Sequence, residues 1–248
     1  MTVTDRTTAT RRVPMDSLRK TALVAGALYL ITFVSMPILA LYGPVREPNY
    51  VAGPGPDTPV IVGGILEIIV ALAGIGTAVV LYPVVKRQNE GLALGFVGIR
   101  ALEAATIFAG VVCLMAVVTL RQAGAGTDAL VTGRALVALH DWTSLIGQGL
   151  LPAVNALLLG SLMYQSRLVP RVLPLLGLIG APLLIASAAA TMSGLWEQMS
   201  APAAIAALPI ALWEFSLGIW LVVKGFKPSP ITAGLAATNT PRVYQDAG

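Results

Sequence analysis

Charge is what this sequence has least of. Asp, Glu, Lys and Arg make up only 11% of its 248 residues, against about 25% in a soluble domain. That shortage argues against a water-facing globule. Reactive side chains are equally scarce. The one cysteine, Cys113, lies inside an apolar run, so no intrachain disulfide forms. With one histidine, His140, the chain cannot assemble a Cys/His zinc site or a bis-histidine haem on its own. The sequence contains no H-E-x-x-H, G-x-S-x-G, P-loop or dinucleotide fingerprint, so nothing marks an enzyme, and no metal or cofactor is expected.

What is present is apolar. Hydrophobic residues make up 56% of the chain, and the mean hydropathy is +0.80. Long uncharged runs mark six membrane spans of about 20 residues or more, near 21–42, 59–85, 92–120, 135–164, 172–192 and 203–223. They are too long and too continuously apolar for barrel strands, and a helix satisfies its own backbone in lipid. The reading is therefore all-α: a polytopic bundle of six transmembrane helices, with the lipid bilayer as its partner. A basic tail at 1–15 and a Pro/Thr/Ala-rich tail at 229–248 are expected to be disordered, flanking a membrane domain at 16–228. The run from Thr21 to Val45 has 25 residues without a charge and lacks a small-x-small cleavage site at its end. It therefore reads as a retained span, kinked at Pro37, rather than a signal peptide.

The net charge of +4 concerns topology and not nucleic acid. Arg6, Arg11, Arg12, Arg19, Lys20, Lys86, Arg87, Arg167, Arg171, Lys224, Lys227 and Arg242 all fall on one side of the six spans, against Arg46, Arg121 and Arg134 on the other. The excess places both termini in the cytoplasm. Tyr29, Tyr42, Tyr82, Tyr164 and Trp142 fall near span ends, where aromatic belts form.

Several residues carry a recognisable pattern. Ala25-Gly26-Ala27-Leu28-Tyr29-Leu30-Ile31 opens the first span, Leu81-Tyr82-Pro83 closes the second, and Arg100-Ala101-Leu102-Glu103 lies in the third. Ser166-Arg167-Leu168-Val169-Pro170-Arg171 precedes Leu176-Gly177, and Trp213-Glu214 precedes Trp220-Leu221-Val222-Val223-Lys224-Gly225-Phe226. Over about residues 16–228 the chain resembles the bacterial membrane-protein family catalogued as domain of unknown function 4386. The resemblance implies about six membrane helices in a bacterial cytoplasmic membrane and carries no established activity.

Four ionisable residues fall within the spans: Glu67, Arg100, Glu103 and Glu214. Each charge at the bilayer centre costs about 2.5–3.5 kcal/mol on insertion scales, so they are expected to face inward and meet. Glu103 and Glu214 lie near the midplanes of their spans, with Glu67 about 6 Å further out. Arg100 and Glu103, three apart, share a helical face. Three carboxylates and one guanidinium sum to −2, so a proton or a cation is expected among them. Such a cluster suits a small proton- or ion-coupled transporter. It also suits a structural clasp in a non-catalytic scaffold or regulatory partner. His140 and Asp141 read as a relay at the outer mouth of span 4 or, more plainly, as a helix cap beside a solvated histidine. Gln148 and Asn155 read as interhelix hydrogen bonders. Gly91, Gly95 and Gly98 offer a smooth face for close helix contact or a homo-oligomer. No partner protein is legible. Glu103 and Glu214 also fall at corresponding places in the third helix of each half, as in an inverted repeat.

Overall fold

The apolar runs fold as helices whose ends follow the polar breaks between them. A computed structural model describes residues 17–33 and 38–233. Its principal helices are α1 (Ser17–Thr32), α2 (Ile38–Leu41), α3 (Thr58–Val85), α4 (Glu90–Gln122), α5 (Leu130–Ser144), α6 (Leu151–Ser166), α7 (Val172–Met192) and α8 (Ala201–Val223), with no strand among the described residues. Asn89 starts α4 by capping it, its side chain accepting from the Leu92 amide at 3.0 Å. Arg167 ends α6 in the left-handed conformation at φ 58°.

Four expectations need adjusting. The first span is represented by α1, which has 16 residues, and by the separate short helix α2; the expected kink at Pro37 lies outside the described residues. The fourth span is not one regular helix. Leu145–Leu150 form a π turn between α5 and α6. Pro152 has no amide to donate to the Gln148 carbonyl, and the wider turn accommodates that loss, as the i→i−5 bond from Leu151 N–H to the Ile146 carbonyl shows. Tyr29 and Tyr42 belong to the interior, with 0% and 2% of their surface exposed, and not to an interfacial belt. Finally, the segment expected to be disordered from 229 begins ordered. Ser229 Oγ donates to the Ser166 carbonyl at 2.6 Å, and the Lys227 amide donates to the Leu168 carbonyl, pinning this stretch to the α6–α7 turn. The tails at 1–15 and from 234 lie outside the described residues.

Five helical stretches, Thr58–Val85, Glu90–Gln122, Gly126–Ser166, Val172–Met192 and Ala201–Val223, are long and apolar enough to cross a membrane. Their outward faces carry Val79, Val112 and Ile205 at 58%, 67% and 71% exposure. Apolar side chains this open along whole helices match acyl chains and not water. The chain is an integral, multi-pass membrane protein.

The helices close a ring. α1 packs on α3 and α8, α3 on α4, α4 on α5 and α6, α6 on α7, and α7 on α8. Burial against neighbours has little hydrophobic advantage when the alternative is lipid, so close backbone approach and internal polar bonds must hold such a ring. The α1–α8 contact shows the first. A Cβ on Gly26 would sit 2.7 Å from the Gly218 carbonyl oxygen and 2.8 Å from the Val222 nitrogen. Arg19 shows the second, donating to the Leu221 and Val222 carbonyls at the end of α8. At the other end, Asp57 at the start of α3 takes hydrogen bonds from Arg121 at 2.9 Å and Tyr50 at 2.8 Å. Burial and the adjacent Asp57 carboxylate push the Tyr50 hydroxyl well above its ordinary pKa.

Among the described residues three apolar clusters fill the interior. One gathers Leu81, Phe96, Leu159, Met163 and Trp213; a second gathers Val45, Tyr50, Val60, Leu114 and Val117; a smaller third, of Ala71, Ala104, Ile107 and Val111, joins α3 to α4. Along α3 and α4, Glu67, Arg100 and Glu103 lie between the first two sets. Of the glycines on α4, Gly95 meets Leu158 of its own chain and Gly98 has nothing within 4 Å.

Candidate functional site

The intramembrane charges form two adjoining groups and not one. The first is built on α4, which presents Arg100 and Glu103 one turn apart on its inward face. Arg100 is 3% exposed. Its Nη1 donates to Glu103 Oε2 at 3.0 Å and its Nη2 to Glu214 Oε1 at 2.6 Å, tying α4 to α8. Nη2 also points at the Tyr29 hydroxyl of α1 at 3.4 Å. The guanidinium lies 5.4 Å from the centroid of the Tyr29 ring and 5.8 Å from that of Phe96. Asn155 of α6 donates to Glu103 Oε2 at 2.7 Å. Three helices thus meet at one guanidinium, and α6 joins them through Glu103.

The two carboxylates are less enclosed than the arginine, with 12% and 14% of their side chains reachable. They open on a cavity of about 200 Å³. Its walls are mostly apolar, including Phe33, Val70, Ile107, Leu184 and Ile210, with Gln148 as a further polar residue. One guanidinium between two carboxylates leaves the group one negative charge.

Glu67 is the residue the structure sets apart. It lies one turn along α3 from the cavity-lining Val70 and Ala71, and its oxygens are held from other directions. Tyr42 donates its hydroxyl to Oε2 at 2.9 Å, and Gln148 of the π turn donates to Oε1 at 3.1 Å. The Tyr42 ring reaches this place because Gly63, one turn before Glu67, has no side chain; a Cβ there would fall 2.5 Å from the ring. His140 Nε2 lies 3.7 Å from Glu67 Oε2. The expected solvated histidine beside a capping Asp141 is corrected here. Asp141 sits within α5 and not at its start, and His140 is buried at 4% exposure. Its ring packs edge-on against Tyr42 and over Gly110 of α4, which leaves it room. Asp141 Oδ1 is 3.3 Å from His140 Nδ1 and accepts from Arg46 Nη2 at 2.7 Å.

Tyr29, Tyr42 and Arg46 were not among the sequence candidates. Tyrosines near span ends look like belt residues, and a loop arginine looks like a topology signal; only the tertiary packing shows that Tyr42 and Arg46 reach carboxylates and that Tyr29 meets the Arg100 guanidinium. Among the described residues no group of three or more His, Cys, Asp or Glu side chains is placed to hold a metal ion.

The family described as Domain of unknown function (DUF4386) matches residues 24–225. The chain belongs to that family. Tyr29, Glu67, Arg100, Glu103, His140, Gln148, Asn155 and Glu214 all fall inside the DUF4386 match, as does every helix of the ring except the first turns of α1. No curated protein and no solved structure matches the chain.

Proposed function

We propose that this DUF4386 protein is a six-span protein of the bacterial cytoplasmic membrane with both ends in the cytoplasm. We read its central cavity as the ligand site of a small proton-coupled transporter. The six-span count is supported by α1, which completes the ring, and the orientation by the twelve-to-three split of Lys and Arg in the sequence. Neighbour relations in the ring repeat between α1–α3–α4 and α6–α7–α8, and each half's first helix meets the other half's last. An inverted repeat, with its ligand site at the interface of the halves, fits this order, as any ring of six helices in chain order does.

The observation that carries the reading is the cavity of about 200 Å³ onto which two carboxylates open while sharing one arginine. Its net charge of −1 is cancelled by one proton on a glutamate or by one monovalent cation. The two compete, which is the basis of exchange. Asn155 serves either state: its amide donates to a Glu103 carboxylate and, turned over, its Oδ1, now without a hydrogen-bond partner, accepts from a carboxylic acid. The apolar walls suit a small organic cation over a hydrated metal ion.

Proteoliposomes with a trapped pH-sensitive dye test this. Tetramethylammonium, choline and benzyltrimethylammonium are added outside as probes. At least one is expected to raise the internal pH as protons leave in exchange, and Glu214→Gln and Glu103→Gln are expected to lose the response while melting near the wild-type temperature in detergent. The rival reading is a clasp in a scaffold or regulatory partner, and one observation favours it: both terminal nitrogens of Arg100 are already committed to carboxylates. A wild-type protein that moves no probe, with variants that only melt earlier, would establish the clasp in place of the transporter.

A further inference from the structure

A surface pocket of about 510 Å³ lies beside Asp141, lined also by Arg46, Tyr50 and Arg134. Asp141 keeps 43% of its side chain exposed, whereas His140 and Glu67 behind it keep 5% each. From there a line of polar groups, with one open step between His140 and Glu67, leads inward. Asp141 Oδ1 meets His140 Nδ1 at 3.3 Å, His140 Nε2 faces Glu67 Oε2 at 3.7 Å, and Glu67 Oε1 is held at 3.1 Å by Gln148, which lines the central cavity. The histidine is the point that a structural role leaves unexplained. Its Nε2 is buried, aimed at a carboxylate, and has no hydrogen-bond partner. A buried ring nitrogen left unpaired is costly, and a clasp would have closed that gap. Catalytic and transfer contacts are often longer at rest and tighten in action.

Resting on the transporter reading above, we infer that Asp141, His140 and Glu67 form the proton path between the external pocket and the central cavity. A proton taken from outside water by the Asp141 carboxylate passes to His140 Nδ1. Nε2 then releases its own proton to Glu67, so the ring gains one and loses one. Glu67 delivers that proton to the cavity beside Gln148, where Glu103 or Glu214 receives it. The ring returns to its starting tautomer when the proton on Nδ1 is lost and one is taken up at Nε2, an exchange that solvent water carries with no net change in the ring's charge. Every element around the ring supplies a known neighbour. Asp141 comes from its own helix, Glu67 from α3, Tyr42 from the segment before α3, and Gly110, without a titratable group, from α4; Arg46 acts through Asp141. Arg46 and Asp141 neutralise one another, so His140 and Glu67 are left to share the travelling charge.

The test separates exchange from coupling in the same proteoliposomes, using whichever cation probe the wild type moves. Exchange of labelled for unlabelled cation at equal pH needs no net proton movement; uptake driven by a pH gradient does. His140→Ala, Glu67→Gln and Asp141→Asn are expected to retain exchange and lose driven uptake, whereas Glu103→Gln loses both. Asp141→Asn, at a partly exposed position, serves if the buried variants do not fold. Driven uptake at the wild-type rate in these variants would overturn the path while leaving the transporter intact. Loss of exchange and uptake together would overturn it too, by assigning these residues to ligand binding or folding. A wild type that moves no cation would instead refute the transporter reading itself.

Discussion

Arg100→Ala is expected to lower folding stability by about 3–5 kcal/mol, the range for removing one partner from a buried ionic group. The arginine is 3% exposed and donates to Glu103, Glu214 and the Tyr29 hydroxyl from three different helices. Its removal leaves two carboxylates facing each other across one small cavity with no cation between them. Like charges in low dielectric repel strongly, and neither has a compensating donor beyond Asn155 on Glu103. Thermal or denaturant melting in detergent measures the loss. Arg100→Met combined with Glu103→Gln and Glu214→Gln is expected to recover most of it, because that triple variant removes the charges while keeping much of the volume. A single Arg100→Ala variant that melts with the wild type would show that the guanidinium is not the tie between α4 and α8.

The second large effect concerns backbone and not charge. Gly26→Val is expected to cost about 3 kcal/mol, at the upper end of overpacking penalties. The atoms that a side chain at 26 would strike belong mainly to backbone, the Gly218 carbonyl oxygen and the Val222 nitrogen, along with Leu221 Cβ. No rotamer change relieves such a clash; α1 and α8 must separate, and the ring opens at that seam. Gly98→Ala is the control. Nothing lies within 4 Å of the added methyl, and alanine favours helix over glycine, so no loss is expected there. Melting curves of the two variants side by side decide the point, and equal loss in both would contradict the assigned seam.

The helices were legible because lipid makes the signal coarse. A long run without charge has few fates in a bilayer, and the polar turns at Lys86–Glu90 and Arg167–Arg171 mark where chain direction reverses. The reading of 172–192 coincides with α7, and that of 203–223 falls two residues inside the start of α8. Arg100 and Glu103 were legible as a pair from spacing alone, and Glu214 from its depth. Glu67 was grouped with them by cost alone: an expensive charge must find company, but cost does not say which. Its actual partners, Tyr42 and His140, arrive from a connecting segment and from another helix, and are seated by the bareness of Gly63 and Gly110. Gln148 reaches Glu67 from a π turn, and a reading based on 3.6 residues per turn has no place for that extra residue.

One arrangement has a consequence for how the protein is made. Arg100 finds its first carboxylate three residues further along its own helix, and its second only on the last helix of the ring. α4 can therefore enter the bilayer with its charges already paired as a locally neutral couple, before Glu214 has been synthesised. The final segment is the one that arrives with an unmatched acid. α8 meets its two partners at once, since the face that packs on α1 also brings Glu214 to the guanidinium, so seating that helix and neutralising its acid are one step.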